Sequence, residues 1–268
     1  DHRDLHSFPT RRSSDLSWIG GATFVIETEG LRIASDPALA PKGSVTDFFW
    51  FKSVRLNNPV YDDKTFKNID IWLLTHTHLD HLDEMGLAEI SAESIKIGTK
   101  DVARYFAKKN GQDIEILKWN ESRTFTAGHL TIEVTAVPAL HGINPLSAFF
   151  AGKVNGYLLK INNGDTEFTT YVTGDTIYKK HIFRHIRFPK IDLMVPNMGA
   201  AKKGSWIMNL TLDAGMLARF IARINPGVVI PVHFETFSHY KEPIKKTAEL
   251  NNPRIKIMKP GEKMSFKL

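Results

Sequence analysis

The stretch Thr75-His76-Thr77-His78-Leu79-Asp80-His81 packs three imidazoles and a carboxylate into six consecutive positions. Imidazole and carboxylate are the groups that zinc and similar divalent ions take from proteins, so H-x-H-x-D-H points to a catalytic metal site. The residues before it, Ile69-Asp70-Ile71-Trp72-Leu73-Leu74, make a short apolar run that reads as a buried strand. Side chains two apart on an extended chain point the same way. If the chain stays extended through His78, then His76 and His78 grip one ion together. Asp80 and His81, beyond the turn, face a second. A polar surface loop with chance histidines accounts poorly for so tight a cluster.

Three more segments deliver ligand-type residues in the same manner. Leu130 to Ala139 alternates like a strand and leads to His141. Phe168 to Thr173 leads to Gly174-Asp175-Thr176. Gly227 to Val232 leads to His233. Each apolar strand brings one metal-binding side chain to its C-terminal end, and chance explains that recurrence less well than any single residue.

This pattern resembles the metallo-β-lactamase-fold superfamily, over nearly the whole chain from Ser17 to Leu268. Within it the chain is most similar to the group of N-acyl-phosphatidylethanolamine phospholipase D and ascorbate-6-phosphate lactonase. The resemblance is carried by Trp18-Ile19-Gly20-Gly21-Ala22-Thr23-Phe24, Ser35-Asp36-Pro37, the Thr75–His81 motif, Pro138-Ala139-Leu140-His141, Thr173-Gly174-Asp175-Thr176 and Pro231-Val232-His233-Phe234. It implies a four-layer αββα sandwich with metals at one edge between the sheets. It implies His76, His78 and His141 around a first metal, Asp80, His81 and His233 around a second, and Asp175 bridging both. Asp80 and Asp175 are then the catalytic carboxylates, with a water or hydroxide between two divalent ions, zinc first and manganese or iron as alternatives. Many relatives carry a histidine where this chain has Gly21, which leaves open what contacts substrate there.

Composition sets bounds. The 268 residues suit one large domain or two small ones, and 42% hydrophobic residues are ample for a core. There is no cysteine, so disulfides, thiolate metal sites and cysteine nucleophiles are excluded. No apolar run is long enough for a transmembrane helix. Residues 6–16 look like the translation of a sequencing-library adapter. Residues 1–16 are therefore read as an artefactual or disordered tail, and 17–268 as a single domain. The true N-terminus could then be missing, and a cytoplasmic location is the expectation that follows from no visible signal peptide. The formal charge is +6. Basic residues recur at Lys179, Lys180, Arg184, Arg187 and Lys190, at Lys202 and Lys203, and at Lys241, Lys245 and Lys246. They read as solvated faces; an anionic substrate is the other reading. No nucleic-acid module accompanies them.

Between the ligand-bearing strands the chain alternates strand and helix. Phe24–Thr28 and Leu31–Ser35 flank the hairpin signal Glu29-Gly30. Residues 38–68 read as a long irregular connection. Lys96–Thr99, Asp101–Lys109 and Ile114–Leu117 read as strand, helix, strand. Helices are expected over Tyr178–Arg187, Leu212–Ile224 and Lys241–Leu250, and a strand over Ile191–Val195. Within the irregular connection, Phe48-Phe49-Trp50-Phe51 reads first as packing of that loop on the sandwich. The other reading is a wall of a substrate pocket or a lip touching lipid. Asn144–Gly152 reads as a pocket-lining loop, Asp36 as a turn residue, and Thr173 and Thr176 as turn formers or supports of Asp175. His129, His181 and His185 read as surface residues. His239 reads first as lying outside the substrate pocket.

The function expected is a binuclear metal-dependent hydrolase cleaving a phosphodiester, lactone or related ester of a small, anionic or ester-bearing molecule. Iron-dependent redox chemistry on the same fold is an alternative, as is a nucleic-acid-processing phosphodiesterase, although nucleic acid is not the expected partner. Self-association is left open.

Overall fold

A computed structural model describes residues 13–48, 51–109, 111–142, 153–183, 186–202 and 209–267. The chain opens with β1 (Ser13–Gly20), β2 (Thr23–Thr28) and β3 (Leu31–Ser35). Glu29 and Gly30 join the last two with φ of 52° and 81°, as a tight hairpin that follows the strand twist requires. A small hairpin of β4 (Val45–Asp47) and β5 (Lys52–Val54) follows. Then come β6 (Ile71–Leu73), α1 (Glu84–Ala88), β7 (Ile95–Gly98), α2 (Lys100–Lys109) and β8 (Glu115–Ile116). The second half holds β9 (Ser122–Ala127), β10 (Leu130–Ala139), β11 (Val154–Asn162), β12 (Glu167–Val172), α3 (Lys180–Phe183) and β13 (Leu193–Val195). It ends with α4 (Ala214–Ile224), β14 (Val228–Val229), α5 (Lys245–Ala248) and β15 (Lys263–Lys267).

Two sheets result, in the orders β15-β1-β2-β3-β6-β7-β8 and β14-β13-β12-β11-β10-β9. Both have the same plan. The first is antiparallel through β3 and parallel from β3 to β8. The second is antiparallel from β9 to β12 and parallel from β12 to β14. Alternate residues explain how the first sheet is covered on both faces. Phe24, Ile26, Ile33, Ile71 and Leu73 enter the main core, which they share with Val134, Tyr157 and Leu159 of the second sheet. Their neighbours Val25, Ala34, Trp72 and Leu74 enter a second core with Val102 and Phe106 of α2. On the other sheet, Tyr171 meets Phe220 of α4. The layers are helix, sheet, sheet, helix: the αββα sandwich.

Several expectations change in detail. β1 starts at Ser13, inside the span 1–16 read as a tail. Leu16 is fully buried and lies opposite Ile26 and Met264, so the fold takes in Ser13–Leu16; residues 1–12 lie outside the described residues. The connection over 38–68 contains the β4–β5 hairpin. The helix over Tyr178–Arg187 is described only as α3, and that over Lys241–Leu250 is only α5, since Pro243 restricts the chain before it. β9, β11 and β15 have no counterpart in the sequence reading. Arg184, His185, Lys203 and the loop Asn144–Gly152 lie outside the described residues, and the side chain of His181 is not described. His129 is exposed. Among the described residues, no helix is long and apolar enough to cross a membrane.

Candidate metal centre

β6 ends at Leu73, so the chain is not a strand through His78. Two contacts from β11 hold the segment that follows: Tyr157 Oη donates to Leu74 O at 2.8 Å and Asn155 N to Thr75 O at 3.1 Å. A third comes from Asp36, at the end of β3. Its carboxylate accepts from Thr75 N at 2.7 Å, from Thr75 Oγ1 at 2.6 Å and from His81 Nδ1 at 2.7 Å. Asp36 has φ of 41°; it turns the chain and orients a histidine as well.

The seven expected residues converge. His76 Nε2 and His78 Nδ1 are 3.0 Å apart, and the ring of His141 lies 5.2 Å and 5.1 Å from theirs. His81 Nε2 and His233 Nε2 face each other at 3.1 Å. Asp80 Oδ2 is 3.6 Å from His233 Nε2. Asp175 stands between the two groups. Its Oδ1 is 3.2 Å from His81 Nε2 and 3.5 Å from His233 Nε2, and its Oδ2 is 3.6 Å from His141 Nδ1. Donor atoms of His76, His78 and His141 lie within 4.8 Å of one another, as do those of Asp80, His81 and His233, and those of His76, His81 and Asp175. All but His78 are buried.

Each ligand follows the C-terminal end of a strand. His141 comes after β10, and Asp175 after β12. Gly174 permits the sharp turn there: its φ is +58°, and a Cβ on it would meet Asn155 O at 2.6 Å. His233 follows β14 with φ of 62°, a conformation that non-glycine residues adopt at cost. Hydrogen bonds from its backbone N to Gly21 O and from Nδ1 to Met198 O fix it. Gly21 therefore borders the centre through its backbone.

The donor chemistry fits cations. A carbonyl or carboxylate can only accept, so His81, His141 and His233 carry the proton on Nδ1, bonded to Asp36, Leu210 O and Met198 O respectively. The Thr75 hydroxyl donates to Asp36 and is left to accept from His76 Nδ1, 2.9 Å away. Four imidazoles thus leave Nε2 as the nitrogen available to a cation, the tautomer that a metal selects. Burial, with His81 and His78 nearby, keeps His76 well below the ordinary histidine range. Burial and His141 push His78 down to about 3. Burial also lowers His141, against the pull of Asp175. Burial opposes the charge on Asp80 and Asp175, yet both stay well below the usual carboxylate range. His233 and His239 hold Asp80 down, and His233 and His81 hold Asp175 down. His81 is the exception: burial is outweighed by Asp175 and Asp36, which raise it well above the ordinary value. A cation at its Nε2 would displace that proton. Asp80 Oδ1 is buried with no hydrogen-bond partner among the described residues, as a ligand oxygen awaiting a cation would be.

Four residues join the centre that the sequence did not mark as part of it. His239 Nε2 lies 3.3 Å from Asp80 Oδ2, where it had been expected outside the pocket. Tyr240 Oη donates to the same oxygen at 3.2 Å; burial and then Asp80 raise its pKa, so it stays a donor. Asn197 Nδ2 donates to Asp175 Oδ1 at 2.8 Å. Asn155 braces Thr75. The signal for the first two was position, a histidine–tyrosine pair six residues past His233. Thr173 and Thr176 do not bond Asp175: their hydroxyls accept from Asn197 N and Leu140 N and so set its neighbours. Lys202, one of the basic residues read as solvated, donates its backbone N to His239 O. Phe48 and Phe51 lie against His78 and His239 rather than merely packing their loop on the sandwich.

Comparison with known proteins bears on the family and the fold. Residues 33–234 match the family described as Beta-lactamase superfamily domain. A UPF0173 metal-dependent hydrolase from Pyrococcus horikoshii is 28% identical over 206 residues, covering 75% of this chain and 83% of the relative. Among solved structures, a possible metal-dependent hydrolase from Veillonella parvula superposes with a TM-score of 0.77 at 21% identity, covering 95% of this chain and 100% of that one. An isothiocyanate hydrolase from Delia radicum gut bacteria does so with a TM-score of 0.77 at 22% identity, with the same coverage. At such identities the two structures speak for the fold.

Proposed function

The chain belongs to the beta-lactamase superfamily and is a metal-dependent hydrolase, and from that premise we propose that it holds two divalent ions and cleaves a phosphodiester, a lactone or a related ester. His76, His78 and His141 would hold one ion, Asp80, His81 and His233 the other, with Asp175 between them. Such ions, zinc in our reading, supply Lewis acidity that activates water and polarises the bond to be broken. The single observation that carries this reading is the gathering of donor atoms, drawn from both sheets, into sets of three whose members lie within 4.8 Å of one another.

The chain's own residues do the rest. Asp36 fixes the ring of His81, Asn197 fixes Asp175, and His239 and Tyr240 fix Asp80. Their role is to keep the donors in place without reorganisation during the reaction. Hydrolysis places the oxygen of water on phosphorus or on the acyl carbon and a proton on the leaving oxygen. No side chain need form a covalent bond to substrate.

The test uses protein stripped with a chelator and reloaded with zinc, manganese or iron, assayed on chromogenic phosphodiesters, phosphomonoesters and lactones. Turnover should return with metal, and His78→Ala should lose turnover and hold less metal. Full activity in that variant, or in stripped protein, would refute the proposal. An iron-loaded protein that consumes oxygen and hydrolyses nothing would favour redox chemistry.

A further inference from the structure

Among the described residues, β4 and β5 are the strands that belong to neither main sheet, and Phe48 and Phe51 beside them reach the metal centre. The Phe48 ring stands edge-on to His78, 5.5 Å away and at 89°, and 5.3 Å from His239. Phe51 stacks on Phe48 at 4.7 Å and 10°, and lies 5.7 Å from His239. Phe48 therefore spans the centre, from a ligand of the first donor group to the imidazole that touches Asp80 of the second. His78 is the only one of the seven donor residues that is partly exposed, so solvent reaches the centre beside Phe48. Leu79, next along the chain, is 40% exposed at the same mouth.

We infer that Phe48 and Phe51 form the apolar wall of the substrate site, and that this wall selects compounds carrying a hydrocarbon group, alkyl or aryl, next to the bond to be cleaved. The inference rests on the hydrolase reading given above. A loosely attached loop could not select, but this one is tied at its base. Ser53 Oγ lies 2.7 Å from His239 Nδ1. Val54 N donates to Ser238 Oγ at 2.9 Å, and Ser238 N to Val54 O at 2.9 Å. Leu56 N donates to Thr236 O at 2.7 Å. The segment that positions His239 thus positions the wall, and a polar head at the donor cluster would leave its neighbouring group against phenyl rings.

Alkyl phosphonates from methyl to hexyl test this by calorimetry on the zinc-loaded protein, each presenting the same anion and a longer chain. In the wild type, Kd should fall about four-fold for each methylene that reaches the wall. In Phe48→Ala and Phe51→Ala the dependence should drop below about two-fold per methylene, with zinc content unchanged, and Phe48→Leu should keep most of it. Should Phe48→Ala lose zinc or melt early, Phe51→Ala carries the test. Equal affinity along the series in the wild type, or an unaltered series in the alanine variants, overturns the wall and leaves the hydrolase reading intact. Failure of every phosphonate to bind protein that carries its zinc overturns both.

Discussion

Every imidazole has two ring nitrogens, and only one can face a given cation. Four of the five histidines in the donor groups have that choice made by a neighbour's acceptor: Asp36, Thr75, Leu210 O or Met198 O. Asp36 matters most, because it sets His81 directly and His76 through Thr75. Asp36→Asn keeps the shape but replaces one acceptor oxygen with a donor, so either the Thr75 N contact at Oδ1 or the Thr75 Oγ1 and His81 contacts at Oδ2 must be lost. Metal affinity should fall by roughly 10- to 100-fold, read by competition with a chromogenic chelator. Unchanged affinity would show that His81 orients itself. The donors themselves were legible in the sequence, because metal ligands must be His or carboxylate and chain spacing brings His76, His78, Asp80 and His81 together. The residues that orient them were not. Asn197, Tyr240 and Asn155 are ordinary polar residues whose only distinguishing property is where the fold puts them.

At the scale of elements, strand ends do the positioning. The run before His141 was readable as a strand because apolar and polar residues alternate there, and the run before Asp175 because it is filled with aromatic and β-branched residues. The β4–β5 hairpin was hidden because its strands hold three residues each, and only the middle one, Thr46 or Ser53, is buried. Neither is apolar, so no periodic signal exists. α1 was equally silent, yet it props the centre. Asp83 caps it by accepting from Gly86 N at 2.7 Å and also accepts from Ala40 N at 2.6 Å. Gly86 lets the helix lie directly on the chain after Asp36: a Cβ there would sit 1.7 Å from Pro37 O. Backbone must move to admit it. Gly86→Ala should cost about 3 kcal/mol or more of stability in denaturant unfolding. It should also weaken metal binding, because Asp36 moves with Pro37. A loss of stability with intact metal affinity would show that the strain is absorbed on the helix side.

Over the whole molecule, the two sheets repeat one plan, antiparallel strands passing into parallel ones, although the sequence shows no repeat. Topology needs only the right sequence of strands, turns and apolar faces, and very different residues satisfy that. The metal centre is the place where the two halves depend on each other. His76, His78, Asp80 and His81 come from the first sheet, and His141, Asp175 and His233 from the second. Buried carboxylates facing buried imidazoles are costly without a cation to hold them, so metal should act as a clasp across the sandwich. With each ion at about 100 times its dissociation constant, linkage adds roughly 2.7 kcal/mol per ion. At about 2 to 4 °C per kcal/mol for a chain of this size, stripping both ions should lower the midpoint of thermal unfolding by roughly 10 to 20 °C. Adding zinc back should restore it in two resolvable steps if the two donor groups differ in affinity. The His78→Ala protein should show only the part of that rise that belongs to its second donor group, which is whole. A midpoint indifferent to chelation would mean that the sandwich closes on its core alone, and that the donor cluster does not hold its halves together.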